Sequence, residues 1–253
     1  MRTSNATGKV VLVLILAVVF TLLPLTLAYA DGEDCLSRGL TSTGDDATSG
    51  RGSGGHSNAG STISIHSAYA EYSEESSFAG FVLNTNNTGQ GIFAGTGIGK
   101  RGNSLEITLT MADVSELSDF FISARYQFLR ETSSRPAMAV GVDAINEIPG
   151  QMESSPYVVA SKCLSSKSPL LASLGWGSGR FRDSLFGGLV LVLQKNWNFI
   201  VEYDGLGGNI GTSFATKMPL GRPLPLVITL GVHNAFALEE ESVLGIAAGI
   251  TFH

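Results

Sequence analysis

From Ile63 to the C-terminus, large apolar residues recur at every second position in short runs separated by turn residues. Leu105, Ile107, Leu109 and Met111 share one face of such a run, and Glu106, Thr108 and Thr110 share the other. Phe120, Ile122, Ala124, Tyr126 and Phe128 oppose Ser123, Arg125 and Gln127 in the same way. A period of two places alternate side chains on opposite faces of a strand, so this texture predicts β-structure throughout. Candidate strands are Ile63–Glu71, Phe78–Asn84, Gly91–Gly99, Ser104–Ala112, Asp119–Arg130, Ala137–Asn146, Tyr157–Cys163, Leu170–Gly177, Phe186–Lys195, Trp197–Asp204, Asn209–Thr216, Pro225–His233 and Val243–Phe252. Gly- and Asn-containing turns such as Asn86–Gly89, Lys100–Asn103 and Asp204-Gly205 separate them. The best helical candidate is one turn near Asp113–Leu117.

The stretch Leu185–Ala215 decides which kind of β-protein this is. Trp197, Phe199, Val201 and Tyr203 fall on one face, and Asn198, Glu202 and Asp204 on the other, with Ile200 the exception. Elsewhere too, one face is large and apolar while the other is small or polar: Ile246, Ala248, Ile250 and Phe252 alternate with Gly245, Ala247, Gly249 and Thr251. A small soluble barrel shows the reverse, because its interior must be filled by bulky side chains. A barrel in a lipid bilayer turns the apolar face outward and the polar face to its lumen. The expected fold is therefore all-β: a single antiparallel up-and-down transmembrane β-barrel of about 12 strands (10–12) over residues 63–253. A soluble secreted β-sandwich is the rival, and it requires the aromatic faces to be internal. The chain's final strand has Phe252 one residue from the end, resembling the aromatic C-terminal signal of bacterial outer-membrane barrels, with His253 following it. Trp197, Tyr203 and Phe252 are expected lipid-interface anchors.

The N-terminus gives an address. Arg2 and Lys9 precede an apolar run from Val10 to Leu27, and Ala28-Tyr29-Ala30 follows. This order predicts a cleaved signal peptide over residues 1–30. Residues 31–62, rich in Gly, Ser, Thr and Asp, read as a flexible arm that cannot bury a core. Removing Arg2 and Lys9 leaves 16 − 2 = 14 basic against 22 acidic side chains, a net of −8. That balance argues against a nucleic-acid partner, which needs a basic footprint. Cys35 and Cys163 could pair in an oxidising compartment, although two cysteines are neither a disulfide framework nor a metal site. No cofactor is implied.

Candidate chemistry is sparse. Glu202 and Asp204 lie two apart on one strand face, and Arg125, Asp143, Lys162 and Arg180 are expected neighbours on the same side of the sheet, where in a membrane barrel they would form a lumen charge cluster. Such a cluster either selects a polar solute or braces the lumen as an ion-pair network, and bracing is the reading favoured for a barrel of this size. Glu202 and Asp204 on one strand do not make a glycosidase pair. His56 and Ser57 resemble the His/Ser signature of outer-membrane lipid A deacylases, but they are adjacent and lie in the arm, where no base is held rigidly. Gly95, Gly97 and Gly99 lack the GK[ST] and following helix of a phosphate loop, and instead make room in a packed lumen. His66 and His233 have no evident partner and read as structural. No catalytic residue is predicted.

Ala139-Val140-Gly141-Val142-Asp143, Tyr157–Lys162, Leu174-Gly175-Trp176-Gly177, Leu185-Phe186-Gly187-Gly188, Glu202-Tyr203-Asp204-Gly205 and Asn209-Ile210-Gly211 follow one another in order. Over about residues 135–215 this order resembles the YjbH-type family of outer-membrane β-barrel proteins linked to exopolysaccharide production. The resemblance implies a non-enzymatic role in envelope exopolysaccharide production or export, in the outer membrane of a Gram-negative bacterium. Its expected surroundings are outer-membrane lipid, with polysaccharide or export-machinery proteins as partners. The alternatives are a small channel for polar solutes and, less favoured, an outer-membrane acyl hydrolase.

Overall fold

The computed structural model describes residues 65–68, 77–84, 90–100, 102–111, 120–146, 153–164, 170–194, 196–220, 222–236 and 242–252. Within them lie twelve strands: β1 (Ser77–Asn84), β2 (Gln90–Lys100), β3 (Asn103–Met111), β4 (Phe120–Leu129), β5 (Ala137–Asp143), β6 (Ser155–Cys163), β7 (Leu170–Gly177), β8 (Ser184–Gln194), β9 (Trp197–Tyr203), β10 (Gly208–Leu220), β11 (Arg222–His233) and β12 (Val243–Phe252). Each pairs antiparallel with its sequence neighbours, and β1 pairs with β12, so the sheet closes into a barrel. Closure satisfies the edge N–H and C=O groups that an open sheet would leave unpaired. Twelve of the thirteen candidate runs coincide with these strands. The exception is Ile63–Glu71: its described residues, Ile65–Ala68, form no strand and pass inside the barrel instead. The expected signal peptide and arm, and the helical turn near Asp113–Leu117, lie outside the described residues. A single 3₁₀ turn, Gly179–Phe181, joins β7 to β8.

The two faces differ. Among the described strand residues, the large apolar side chains that stand exposed all have outward parity, from Phe81 and Ile92 through Leu109 and Ile122 to Trp176 (47% exposed), Phe199, Phe214 and Leu230. Ser104, Gln127, Asp143, Ser155, Ser161, Ser173, Asn198, Glu202, Asn209 and Ser213 are buried, and all point inward. An apolar outside is the inversion anticipated from the alternation; the inside holds these polar groups together with apolar ones such as Phe78, Tyr157, Phe186 and Ile200. This inversion excludes a sandwich with internal aromatic faces.

The two ends also differ. At the end that carries both the start of β1 and the end of β12, the connections are 101–102, 130–136, 164–169, 195–196 and 221. Three of these five have one or two residues, so this is the turn end. At the opposite, loop end the connections are 85–89, 112–119, 144–154, 178–183, 204–207 and 234–242, four to eleven residues long. Register shifts in the β4/β5 and β8/β9 pairings both fall near the turn end, at Gln127/Leu129 and Val192/Gln194.

Glycine has a specific task inside. Gly141 lies directly across from Tyr157 and Gly175 from Phe186. A Cβ on Gly141 would fall 2.3 Å from the Tyr157 hydroxyl, and one on Gly175 would fall 2.2 Å from the Phe186 ring. Only glycine lets these rings lie flat over the neighbouring strand.

Candidate functional site in the barrel lumen

The inner wall of β5–β9 is almost completely covered. Tyr157, Phe181 and Phe186 form a ring cluster, with Phe181 and Phe186 stacked at 4.4 Å and Tyr157 edge-on to both. Ala137, Ala139 and Val159 close the cluster below, and Ile65 and Ala68 join it from inside the lumen. Further along, Leu171, Val190 and Ile200 form a second buried group. This explains Ile200, the position that broke the alternation of β9: its parity is inward, and it faces another apolar patch of the lumen wall.

Residues 65–68 form a strap held by four kinds of contact. The Ile65 side chain lies against Gly188, where a Cβ would come within 2.9 Å of it. The His66 imidazole stacks on Tyr157 at 4.3 Å with the rings 8° from parallel. Its Nε2 lies 2.8 and 2.9 Å from the two Asp143 oxygens, and since a carboxylate only accepts, Nε2–H is the donor. The Ser67 carbonyl accepts from Arg125 Nη1 at 2.9 Å, and the Ala68 amide donates to Ser161 Oγ at 2.8 Å. Asp143 ends β5 at the loop end, Arg125 lies midway along β4, and Ser161 is two residues from the turn end of β6. The strap therefore runs down the wall from the loop end toward the turn end.

The six sequence-predicted charges separate into distinct places. Asp143 and Arg180 meet: Arg180 Nε donates to Asp143 Oδ2 at 2.7 Å. The 3₁₀ turn brings Arg180 there, its backbone N–H donating to Ser155 Oγ and its guanidinium lying 4.2 Å from the Phe181 ring centre. Arg180 Nη2 also sits 3.1 Å from His66 Nε2, where two donors lie side by side. Arg125 pairs with Glu106 across β3 and β4 at 2.6 Å. Glu202 is fully buried on the inner face of β9, against Gly188 and across from Asn209. Asp204 is a turn group: it accepts the backbone N–H groups of Leu206 and Gly207 and the side-chain amide of Asn209. Lys162 departs from the lumen altogether. Ser161 and Cys163 face inward, so Lys162 has outward parity, and its ammonium turns under the β4–β5 connection to the Thr132 and Ser133 carbonyls, 3.7 Å from Glu131.

Sequence reasoning passed over His66, Glu106, Tyr157 and Glu131. Glu106 was legible as an inward residue of β3. His66 shows no evident partner in the sequence and reads as structural, because the residues that hold it lie 77 and 114 positions away. Of the expected anchors, Trp197 is exposed on the outer face near the turn end, with Nε1–H donating to Thr212 Oγ1. Tyr203 is half-buried at the loop end, its hydroxyl donating to the Gly205 carbonyl. The Phe252 side chain, His56 and Ser57 lie outside what is described. Cys163 is buried and disulfide-bonded, and Cys35 lies outside the described residues.

The facing wall is different in kind. On β11, β12 and β1–β4 the inward residues Thr229, Ala247, Gly249, Gly80, Gly95, Thr108, Thr110 and Ser123 are only half-buried. Their side chains are short and uncharged, although the same arc also bears the Glu106–Arg125 pair and the Phe78 and Phe93 rings.

A family model described as "Exopolysaccharide biosynthesis protein YbjH" matches residues 101–210. That segment runs from the β2–β3 turn into β10 and contains both Arg–carboxylate pairs. No curated protein sequence matches the chain. Among solved structures the chain is similar to a KdgM porin, at 11% identity and a TM-score of 0.45, covering 70% of this chain and 99% of the porin. It is likewise similar to a KdgM porin in complex with disordered oligogalacturonate, at 10% identity and the same TM-score.

Proposed function

We propose that this chain is an outer-membrane β-barrel of a Gram-negative envelope that serves exopolysaccharide production or export without catalysing a reaction. In this reading its lumen is a passage for a polar solute, narrowed on one side. The observation that carries the reading is the contrast between its faces: an apolar outer surface surrounds a lumen that holds buried polar and charged groups, with one wall packed and the other half-buried. Charged groups on a lipid-facing surface are costly, and a wall of leucine, isoleucine and aromatic side chains supports a bilayer as the surroundings. Short turns at the end bearing the start of β1 and long loops at the other support the orientation usual for outer-membrane barrels, with the turn end in the periplasm. Trp197 and Tyr203 at opposite ends of β9 support interfacial aromatic girdles.

The family match over 101–210 supports the exopolysaccharide pathway, with polysaccharide or export-machinery proteins as the partners. A non-catalytic role is supported by the commitments of the lumen groups: each Arg is paired with a carboxylate, and His66 is fixed between Tyr157 and Asp143. None of them is poised as a general base beside a nucleophile.

The test has two parts. Mature protein should fractionate with heat-modifiable outer-membrane proteins and give conductance steps in a planar bilayer. Cells lacking the chain should lose surface polysaccharide, and the wild-type chain should restore it. Recovery in the soluble periplasmic fraction would end the membrane reading, and unchanged polysaccharide would end the pathway assignment.

A further inference from the structure

We propose that the strap Ile65–Ala68 is a releasable latch that sets the width of the lumen, an inference that rests on reading the lumen as a passage. Three features of the contacts lead to it. None of the four residues belongs to a β-ladder, so the strap is held by side chains of the wall and not by the cooperative hydrogen bonding that holds the strands.

Second, every polar group that holds the strap has another partner on the wall. Asp143 is also bonded to Arg180, Arg125 to Glu106, and Ser161 Oγ to Ser173 Oγ at 2.7 Å. Removing one member of a buried ion pair is strongly unfavourable because it strands the other charge. Here the strap can leave without stranding any of them. A permanent filler has no need of that arrangement, and apolar side chains of the same volume would serve it better.

Third, the strap lies inside the lumen against β5, β6 and β8, with one fastening to Arg125 of β4, and Ile65, Ser67 and Ala68 are themselves buried. Its departure would free its own cross-section within the lumen and uncover the Tyr157 face. The strap needs no change in strand pairing to do so. His66 is the central fastening: it alone makes both a ring stack and a bond to a carboxylate.

The latch is tested on the reconstituted full-length mature barrel carrying Ser67→Cys, with maleimide labelling read at position 67 by peptide mass spectrometry alongside single-channel conductance. Labelling should be slow in this background. Adding His66→Ala should speed it by on the order of tenfold, as expected for losing a hydrogen bond to a charged group, and should raise the conductance while heat-modifiability stays unchanged. His66→Phe, which keeps the stack on Tyr157 and loses the bond to Asp143, should fall between the two. Labelling that stays equally slow in both variants, or that speeds without any change in a measurable conductance, would overturn the latch. Faster labelling in a barrel that conducts in no form would instead overturn the passage reading, while showing that the strap releases.

Discussion

Across the lumen, β5–β9 and the arc of β11, β12 and β1–β4 are built by the same alternation and filled in opposite ways. On β5–β9 nearly every inward residue is buried beneath Tyr157, Phe181, Phe186, the strap and the Asp143–Arg180 pair. On the opposite arc the inward positions are mostly Gly, Ala, Ser and Thr and are half-buried. Outside, the two sides are alike: Val158 and Trp176 on one, and Leu109 and Leu230 on the other, stand exposed. The difference teaches that the lumen side of a barrel is free to diverge around its circumference. In the membrane reading proposed above, the outer side is held to one apolar composition by lipid, while the inner side answers to local packing.

The comparison can be broken at the ion pair. Asp143→Ala removes the partner of the partly exposed Arg180 and the anchor of His66, so thermal unfolding in detergent followed by circular dichroism should show a loss of about 1.5–3 kcal/mol, the range for hydrogen bonds to a charged group. Thr229→Ala on the open wall should change the same measurement by less than about 0.5 kcal/mol. Equal effects would mean that the covered wall is not a stability element. The likeness of the outer surfaces comes next. Leu230→Arg on β11 and Val158→Arg on β6, five strands apart around the twelve-strand barrel, should each cost about 2–4 kcal/mol in the equilibrium for folding into a bilayer if their sites are near the midplane. A large cost for one and none for the other would show that only one side meets lipid.

Two glycines give a finer contrast. A Cβ on Gly175 meets the Phe186 ring at 2.2 Å, whereas a Cβ on Gly249 finds nothing closer than 3.5 Å. Gly175→Ala should therefore destabilise by about 1–3 kcal/mol, and Gly249→Ala should be near neutral, as read from the midpoint of heat-modifiability on gels. The smallest expected effect concerns passage alone. Ala247→Trp should narrow the open side and lower single-channel conductance by roughly two-fold, with stability little changed. An unaltered conductance would place the conducting path elsewhere.

The strands were legible because period-two alternation is a local property: each run reports its own two faces without reference to any partner. Leu105–Met111 and Phe120–Phe128 could be assigned faces residue by residue, and the register pairs those faces as read. Lys162 failed where the two faces are less distinct. Tyr157, Val159, Ser161 and Cys163 alternate with Val158, Ala160 and Lys162, and both sets mix large, small and polar residues. Its parity is decided by pairing Ser161 with Ser173 and Ala137, which no single strand announces. Ile63–Glu71 failed for a related reason. An apolar residue in a short extended run is equally satisfied by a bilayer or by an apolar patch on a lumen wall, and Ile65 found the second.

By itself the sequence determined the strand count to within one, the apolar outer face and the presence of polar groups inside, because these follow from the chemistry of alternate positions. Which lumen groups meet was decided only by the closed barrel. Asp143 and Arg180 are 37 residues apart, and His66 and Asp143 are 77 apart. Their contact depends on the register of every strand between them and on a 3₁₀ turn that aims one side chain inward. The division of the lumen into a covered and an open wall belongs to the tertiary structure for the same reason: it depends on where the strap lies, and the strap is held by side chains that come together only when the sheet has curled shut.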